Sequence, residues 1–229
     1  MPSELKLYVA PFACPRVPVV ALEEAGVQFE TVVVGIDGGE HKTPEFKKLN
    51  PKGKVPCLII DGESLTENVA ILTYLNRAFP EASILPRTAN LVDELRQTAD
   101  LAFCSGGLHL LATRIRMSHR FVENPTLAPQ VRAAEIDAMK PNAAFADEHL
   151  SWNRWWYGEQ WSIMDAYLHW IWHRITGSGF PEDDYPNWAD HYRQQFERSS
   201  MQRMLDREQD WQQELTDRGM AFPEHPTLS

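Results

Sequence analysis

Three short stretches carry residue types that could do chemistry. Cys14 is followed at once by Pro15, the residue favoured at the first position of a helix, and then by the apolar run from Val17. A sulfur placed there meets the positive end of the helix dipole, which stabilises thiolate, so Cys14 is the candidate nucleophile. Val55-Pro56 stands ahead of Cys57-Leu58-Ile59-Ile60. An X-Pro step entering a strand can be cis, which would turn the Val55 amide and carbonyl outward for a bound peptide to pair with, as an added strand would. Thr66-Glu67-Asn68 falls where Val69, Ile71, Leu72 and Leu75 open a helical pattern, and free amides at a helix start favour a carboxylate.

The remaining candidates are weaker. Cys14-Pro15-Arg16-Val17 lacks the second cysteine of a redox pair, so an internal dithiol cycle is not expected. Cys57 and Cys104 read as inert packing thiols and Tyr8 as a strand core residue. His169 and His173 share a helix face at metal-ligand spacing, but no third ligand is evident, and no metal is expected. Trp152, Trp155, Trp156 and Trp161 form an aromatic group better explained by packing between helices than by a substrate wall.

The elements that must position these residues change character along the chain. Leu5 to Val9, Phe29 to Val34 and Val55 to Ile60 read as strands and Val17 to Ala25 as a helix; Asp61-Gly62 signals a hairpin into Glu63-Ser64-Leu65. A helix follows from about Thr66. The expected fold class is α/β, a thioredoxin-like N-terminal domain with a mixed four-stranded sheet, followed by an all-α C-terminal domain. The expected division is 1–80 for the first domain, 81–92 for a linker and 93–229 for the helical domain. Helical periodicity runs from about Asn90 to Met117 and from Pro129 to Leu150, with Gly106-Gly107 marking a kink or close approach. Ser162-Ile163-Met164-Asp165 fits a capping box opening an apolar helix, a folding device. Further helices are expected around Asn187 to Arg198 and Ser200 to Gln213, with a poorly ordered tail after Phe222.

Composition narrows the partners. The 229 residues are 43% hydrophobic and carry 32 acidic against 22 basic side chains, a net charge of -10. That charge opposes general binding to nucleic acid or an anionic membrane, so neither partner is expected. The start lacks a signal-peptide pattern and no stretch approaches the length of a membrane span, so the expected location is cytoplasmic.

Over nearly its whole length the chain resembles the cytosolic glutathione transferase superfamily. The motifs that carry the resemblance are Gly39-Glu40-His41-Lys42-Thr43-Pro44-Glu45-Phe46, Asn50-Pro51-Lys52-Gly53-Lys54-Val55-Pro56 and Leu65-Thr66-Glu67-Asn68-Val69-Ala70-Ile71. These are similar to theta-like and bacterial members, whereas Ala13-Cys14-Pro15 and Leu108-His109 are closer to the bacterial beta class. The resemblance implies glutathione as co-substrate, with Val55 and Pro56 anchoring its cysteinyl backbone. It also implies Asn68 at the γ-glutamyl carboxylate, Glu67 at the ammonium group, and Lys54 and His41 at the glycyl carboxylate. The theta-like serine is replaced by Ala13, while Cys14 matches the beta-class cysteine. His109 matches a histidine that could orient or deprotonate a thiol. Phe12, Phe103, Ser105 and Arg114 are expected in the second-substrate pocket, and a homodimer is the expected assembly.

Three functions stay open at this point. The first is transfer of the glutathione thiol to an electrophilic, aromatic or hydrophobic small molecule, with thioether or ether cleavage as a variant. The second is glutathione-dependent thiol-disulfide exchange through Cys14. The third is a non-catalytic, protein-binding member of the fold.

Overall fold

The structure is a computed structural model describing residues 2–221, 223 and 224. Contacts divide the chain into two compact units, one running to Ile84 and resuming from Arg198 to Glu224, the other spanning Leu85 to Glu197.

In the first unit, strands β1 (Leu5–Val9), β2 (Glu30–Val33), β3 (Cys57–Ile60) and β4 (Glu63–Thr66) form one sheet in the order β2-β1-β3-β4. β2 lies parallel to β1, and β3 is antiparallel to both β1 and β4. The mixed four-stranded sheet is therefore as expected. The hairpin turn takes positive φ at both Asp61 (48°) and Gly62 (88°), the twist that a two-residue connection needs. Helices α1 (Arg16–Ala25) and α3 (Asn68–Ala78) bury Val17, Val19, Leu22, Ile71, Leu72 and Leu75 with Leu7, Val9 and Leu58 of the sheet.

Two features of this unit escaped the sequence reading. A short helix α2 (Pro44–Leu49) is opened by Thr43, whose side chain accepts from the Phe46 N–H, with proline at its first position. The last helix, α9 (Ser199–Asp217), packs with α1 and β2. Sequence order alone grouped it with the helical segments before it.

The strand directions bring the candidate residues together. Tyr8, near the end of β1, pairs with Cys57 at the start of β3, and Cys57 pairs in turn with Thr66 at the end of β4. The segments leaving β1, entering β3 and leaving β4 therefore share one end of the sheet. Cys14, Val55 and Asn68 lie on those three segments.

The second unit holds α4 (Leu91–Ala102), a π-helical turn over Phe103–Leu108, α5 (His109–Arg116), α6 (Ala128–Ser151), α7 (Ile163–Thr176) and α8 (Pro186–Gln195). The expected helix from Asn90 to Met117 thus runs without a break from Leu91 to Arg116, with a π turn over Phe103–Leu108 where Gly106-Gly107 fall. α7 is buried over nearly its whole length and carries Tyr167, Trp170 and Trp172 into the core. The capping box is present: Ser162 accepts from the Met164 N–H, and Asp165 accepts from the Ser162 N–H. The packing explanation suits Trp155, Trp156 and Trp161, all buried, but not Trp152, which is 83% exposed. Trp152 is the residue that follows the last turn of α6. The tail after Phe222 falls almost wholly outside the described residues.

Among the described residues, no helix is long and apolar enough to cross a membrane.

Candidate functional site

Cys14 sits in the loop between β1 and α1 and is buried, 9% exposed. Its sulfur donates to the Val55 carbonyl at 3.7 Å. Its own carbonyl accepts from the Asn68 side-chain amide at 3.3 Å and from the Val17 N–H at 3.2 Å. Three of the candidate residues are thereby linked through Cys14. The Val55-Pro56 bond is cis, and Val55 stands just outside the paired register of β3, which begins at Cys57.

Asn50 shapes the loop that presents Val55. Its buried side chain donates to the Lys54 carbonyl at 2.5 Å and accepts from the Lys52 N–H at 3.1 Å. Gly53 adopts φ +60°, and a Cβ there would lie 2.9 Å from the His41 carbonyl oxygen. Only glycine satisfies both demands. The close approach sets the His41 backbone against the segment that leads into Lys54.

Glu67 precedes α3 with φ +77° and ψ 127°, a conformation strained for any residue with a side chain, and it makes no side-chain cap. Strain of this kind costs on the order of 1–3 kcal/mol and persists only where its surroundings hold it. The Glu67 carboxylate is exposed and holds the Lys52 ammonium at 2.5 Å. A helix start without a side-chain cap and a carboxylate already bound to an ammonium suit an amino-acid end group, acid and amine together. Asn68 differs from expectation in one respect. Its side chain is turned inward to Cys14, so its amide supports the loop as well as marking the helix start.

Sequence reasoning missed the buried carboxylate behind this loop. Glu208 of α9 accepts from the Phe12 N–H at 2.7 Å and from Arg16 Nε at 2.7 Å, with a further very short contact to Arg16 Nη2. Phe12 itself has φ +58°, left-handed for a bulky side chain, and its ring lies 5.4 Å from the Arg16 guanidinium. Phe12, placed in the second-substrate pocket by the sequence reading, is 3% exposed. No local signal could have indicated Glu208, since 196 residues separate it from Phe12.

Further along, Arg218 pairs with Glu40 and donates to the Val33 carbonyl at 3.2 Å, while Glu40 accepts from the Gly35 N–H at 2.7 Å. The segment next to His41 is thus also tied to the C-terminal stretch. Burial pushes the Cys57 thiol up to about 11, with Lys52 acting against it, and burial also raises the Cys104 thiol well above its ordinary value.

In the helical unit, His109 Nδ1 lies 3.1 Å from the Tyr167 hydroxyl, and its ring meets that of Trp170 edge-on at 4.4 Å. Phe103 packs edge-on against Phe145, and Ser105 donates back to the Ala102 carbonyl at 3.4 Å. Arg114 is held by Glu135 at 3.2 Å and lies over the Phe121 ring. His169 stacks on Tyr192 with ring centres 4.5 Å apart, a packing role.

Comparison with known proteins bears on the family. The family model described as glutathione S-transferase, N-terminal domain, matches residues 3–77. The glutathione S-transferase GstA of Escherichia coli O157:H7 is 31% identical over 171 residues, covering 72% of this chain and 79% of that protein. The chain belongs to the glutathione transferase superfamily. A solved bacterial beta class glutathione S-transferase from Sphingomonas chungbukensis matches this transferase at 30% identity, with a TM-score of 0.76 over 89% of this chain and 98% of that one. A sphingomonad glutathione S-transferase complexed with glutathione matches at 29% identity and a TM-score of 0.77, with the same coverage of both chains.

Proposed function

We propose that this transferase binds glutathione at the shared end of the sheet and directs its thiol onto an electrophilic carbon of an aromatic or hydrophobic small molecule. The observation that carries this reading is the convergence of Cys14, Val55 and Asn68. Glutathione's cysteinyl backbone would pair with Val55 beside Pro56, its γ-glutamyl end would lie at Glu67 and Asn68, and its glycyl carboxylate at His41 and Lys54. In the reaction the glutathione thiol gives up its proton, a carbon–sulfur bond forms, and the leaving group departs with its bonding pair; thioether or ether cleavage would use the same thiol. Residues 1–80 supply the glutathione site, and the helical segment supplies the electrophile contacts through Phe103, Ser105, Arg114 and His109. The setting is cytoplasmic and the assembly a homodimer, a reading supported by the exposed apolar residues Leu91, Val92 and Leu95 on α4.

Thiol-disulfide exchange through Cys14 is the second reading. Against it stands the burial of Cys14, 9% exposed with its sulfur turned to the Val55 carbonyl, which gives an incoming disulfide little access to it. That favours a positional role for Cys14 over covalent attack. Retention on immobilised glutathione, then turnover of wild type and Cys14→Ala with an aryl halide and with a mixed disulfide of glutathione, separates the two. Conjugation that survives the substitution supports transfer; disulfide exchange alone, abolished by the substitution, supports the second reading. Failure to bind glutathione at all would leave the non-catalytic, protein-binding reading.

A further inference from the structure

We infer that Glu208 of α9 is a positioning residue for the Cys14 loop, acting from the far end of the chain. Its carboxylate grips both flanks of that loop. One oxygen accepts from the Phe12 N–H, two residues before Cys14, and from Arg16 Nε, two residues after it; the other accepts from Arg16 Nη2. Glu208 and Arg16 are each 3% exposed, so water cannot replace either partner.

The loop needs such a grip. Phe12 holds a left-handed backbone that a bulky side chain does not adopt unaided, and the Phe12 N–H must find an acceptor in the interior. A single buried carboxylate supplies the acceptor and neutralises the arginine that lies over the Phe12 ring. The loop then delivers Cys14 to Val55 and Asn68. α9 is held to α1 by further pairs, Arg203 and Arg207 with Glu23 and Arg198 with Glu24, so the carboxylate is presented from a fixed helix. The functional meaning of this role rests on the proposed glutathione site, but the structural claim does not.

The test uses the three cysteines as internal reporters, since all are buried. Iodoacetamide labelling of the full chain is followed by peptide mass spectrometry for wild type, Glu208→Ala and Glu208→Gln. In Glu208→Ala, Cys14 is expected to label at least about tenfold faster, while Cys57 and Cys104 keep their wild-type protection. Glu208→Gln, which retains an acceptor for the Phe12 N–H but withdraws the charge paired with Arg16, is expected to label Cys14 about threefold faster than wild type with Cys57 and Cys104 still protected, and it carries the test if the alanine variant does not fold. In parallel, kcat/KM with glutathione and an aryl halide is expected to fall about tenfold in Glu208→Ala and about threefold in Glu208→Gln. Unchanged Cys14 labelling, or equal acceleration at all three cysteines, would overturn the proposal, the second because it reports general loosening. Absence of glutathione turnover in wild type with selective Cys14 labelling in the variant would instead overturn only the proposed function.

Discussion

The Cys14 sulfur lies 3.7 Å from the carbonyl oxygen of Val55, across 41 residues of chain. The contact follows from topology: β1 and β3 are antiparallel neighbours, so the segment leaving one must pass the segment entering the other. Because the same end of the sheet receives the start of α3, a peptide lying along Val55 would have the Cys14 loop on one side and a helix N-terminus on the other.

Glu67 combines backbone strain with an exposed carboxylate. Replacing it with glycine removes the strain and the carboxylate together. Glu67→Gly is expected to unfold at a temperature equal to or above wild type, since the relief of about 1 kcal/mol exceeds what an exposed ion pair contributes. The same variant is expected to raise the KM for glutathione roughly tenfold, as a charge-assisted bond of about 1.5–3 kcal/mol is lost. Thermal unfolding and steady-state kinetics on one preparation check both halves.

At Gly53 an added methyl group meets the His41 carbonyl at 2.9 Å and a φ of +60°. Gly53→Ala is expected to destabilise the protein by at least about 1 kcal/mol and to weaken glutathione binding more than it lowers kcat. Urea unfolding and calorimetric titration measure these.

Asp165 is fully buried and accepts four hydrogen bonds: from the Trp156 N–H at 2.7 Å, His191 Nε2 at 2.9 Å, and the Ser162 N–H and hydroxyl at 2.7 and 3.0 Å. Asp165→Ala is expected to cost about 3–5 kcal/mol, because it orphans buried donors. Ser162→Ala removes the cap and one of the four donors to Asp165 and is expected to cost less, about 1–2 kcal/mol. Denaturant midpoints at constant slope compare the two.

Glu40 responds to pH in a definite direction. Burial raises its carboxyl, but the Arg218 guanidinium and the Gly35 N–H outweigh burial and hold it below its ordinary value of 4.5. A folded value below the unfolded one stabilises above the unfolded value, and the gain disappears as pH falls through the folded value. The Glu40 side chain is 36% exposed, so solvent screening holds the effect to no more than about 1 kcal/mol. Glu40→Gln is expected to melt slightly below wild type at pH 7 and together with it in acid, as thermal scans across that range would show.

The order and type of the elements were legible because local rules govern them. β1 begins and ends as its alternation indicates, the Asp61-Gly62 turn forms the hairpin, and Ser162 caps α7 as its spacing to Asp165 requires. Cys14, Val55 and Asn68 were legible as a group because motif order carries the information. What could not be read is what depends on long-range pairing. Glu208 lies in an amphipathic helix where a glutamate reads as solvent-facing, and only packing against α1 turns it inward. α2 had a local signal, Thr43-Pro44-Glu45, but six residues are too few for periodicity to show. Trp152 misled because an aromatic residue among aromatic neighbours is ordinarily buried.

The structure of this protein soaked with reduced glutathione bears most directly on the proposed site. The tripeptide is expected to pair its cysteinyl backbone with Val55, to place its γ-glutamyl end at the start of α3 with Lys52 displaced from Glu67, and to bring its sulfur next to the Cys14 loop. A tripeptide bound elsewhere, with Lys52 still on Glu67 and Val55 untouched, would contradict it.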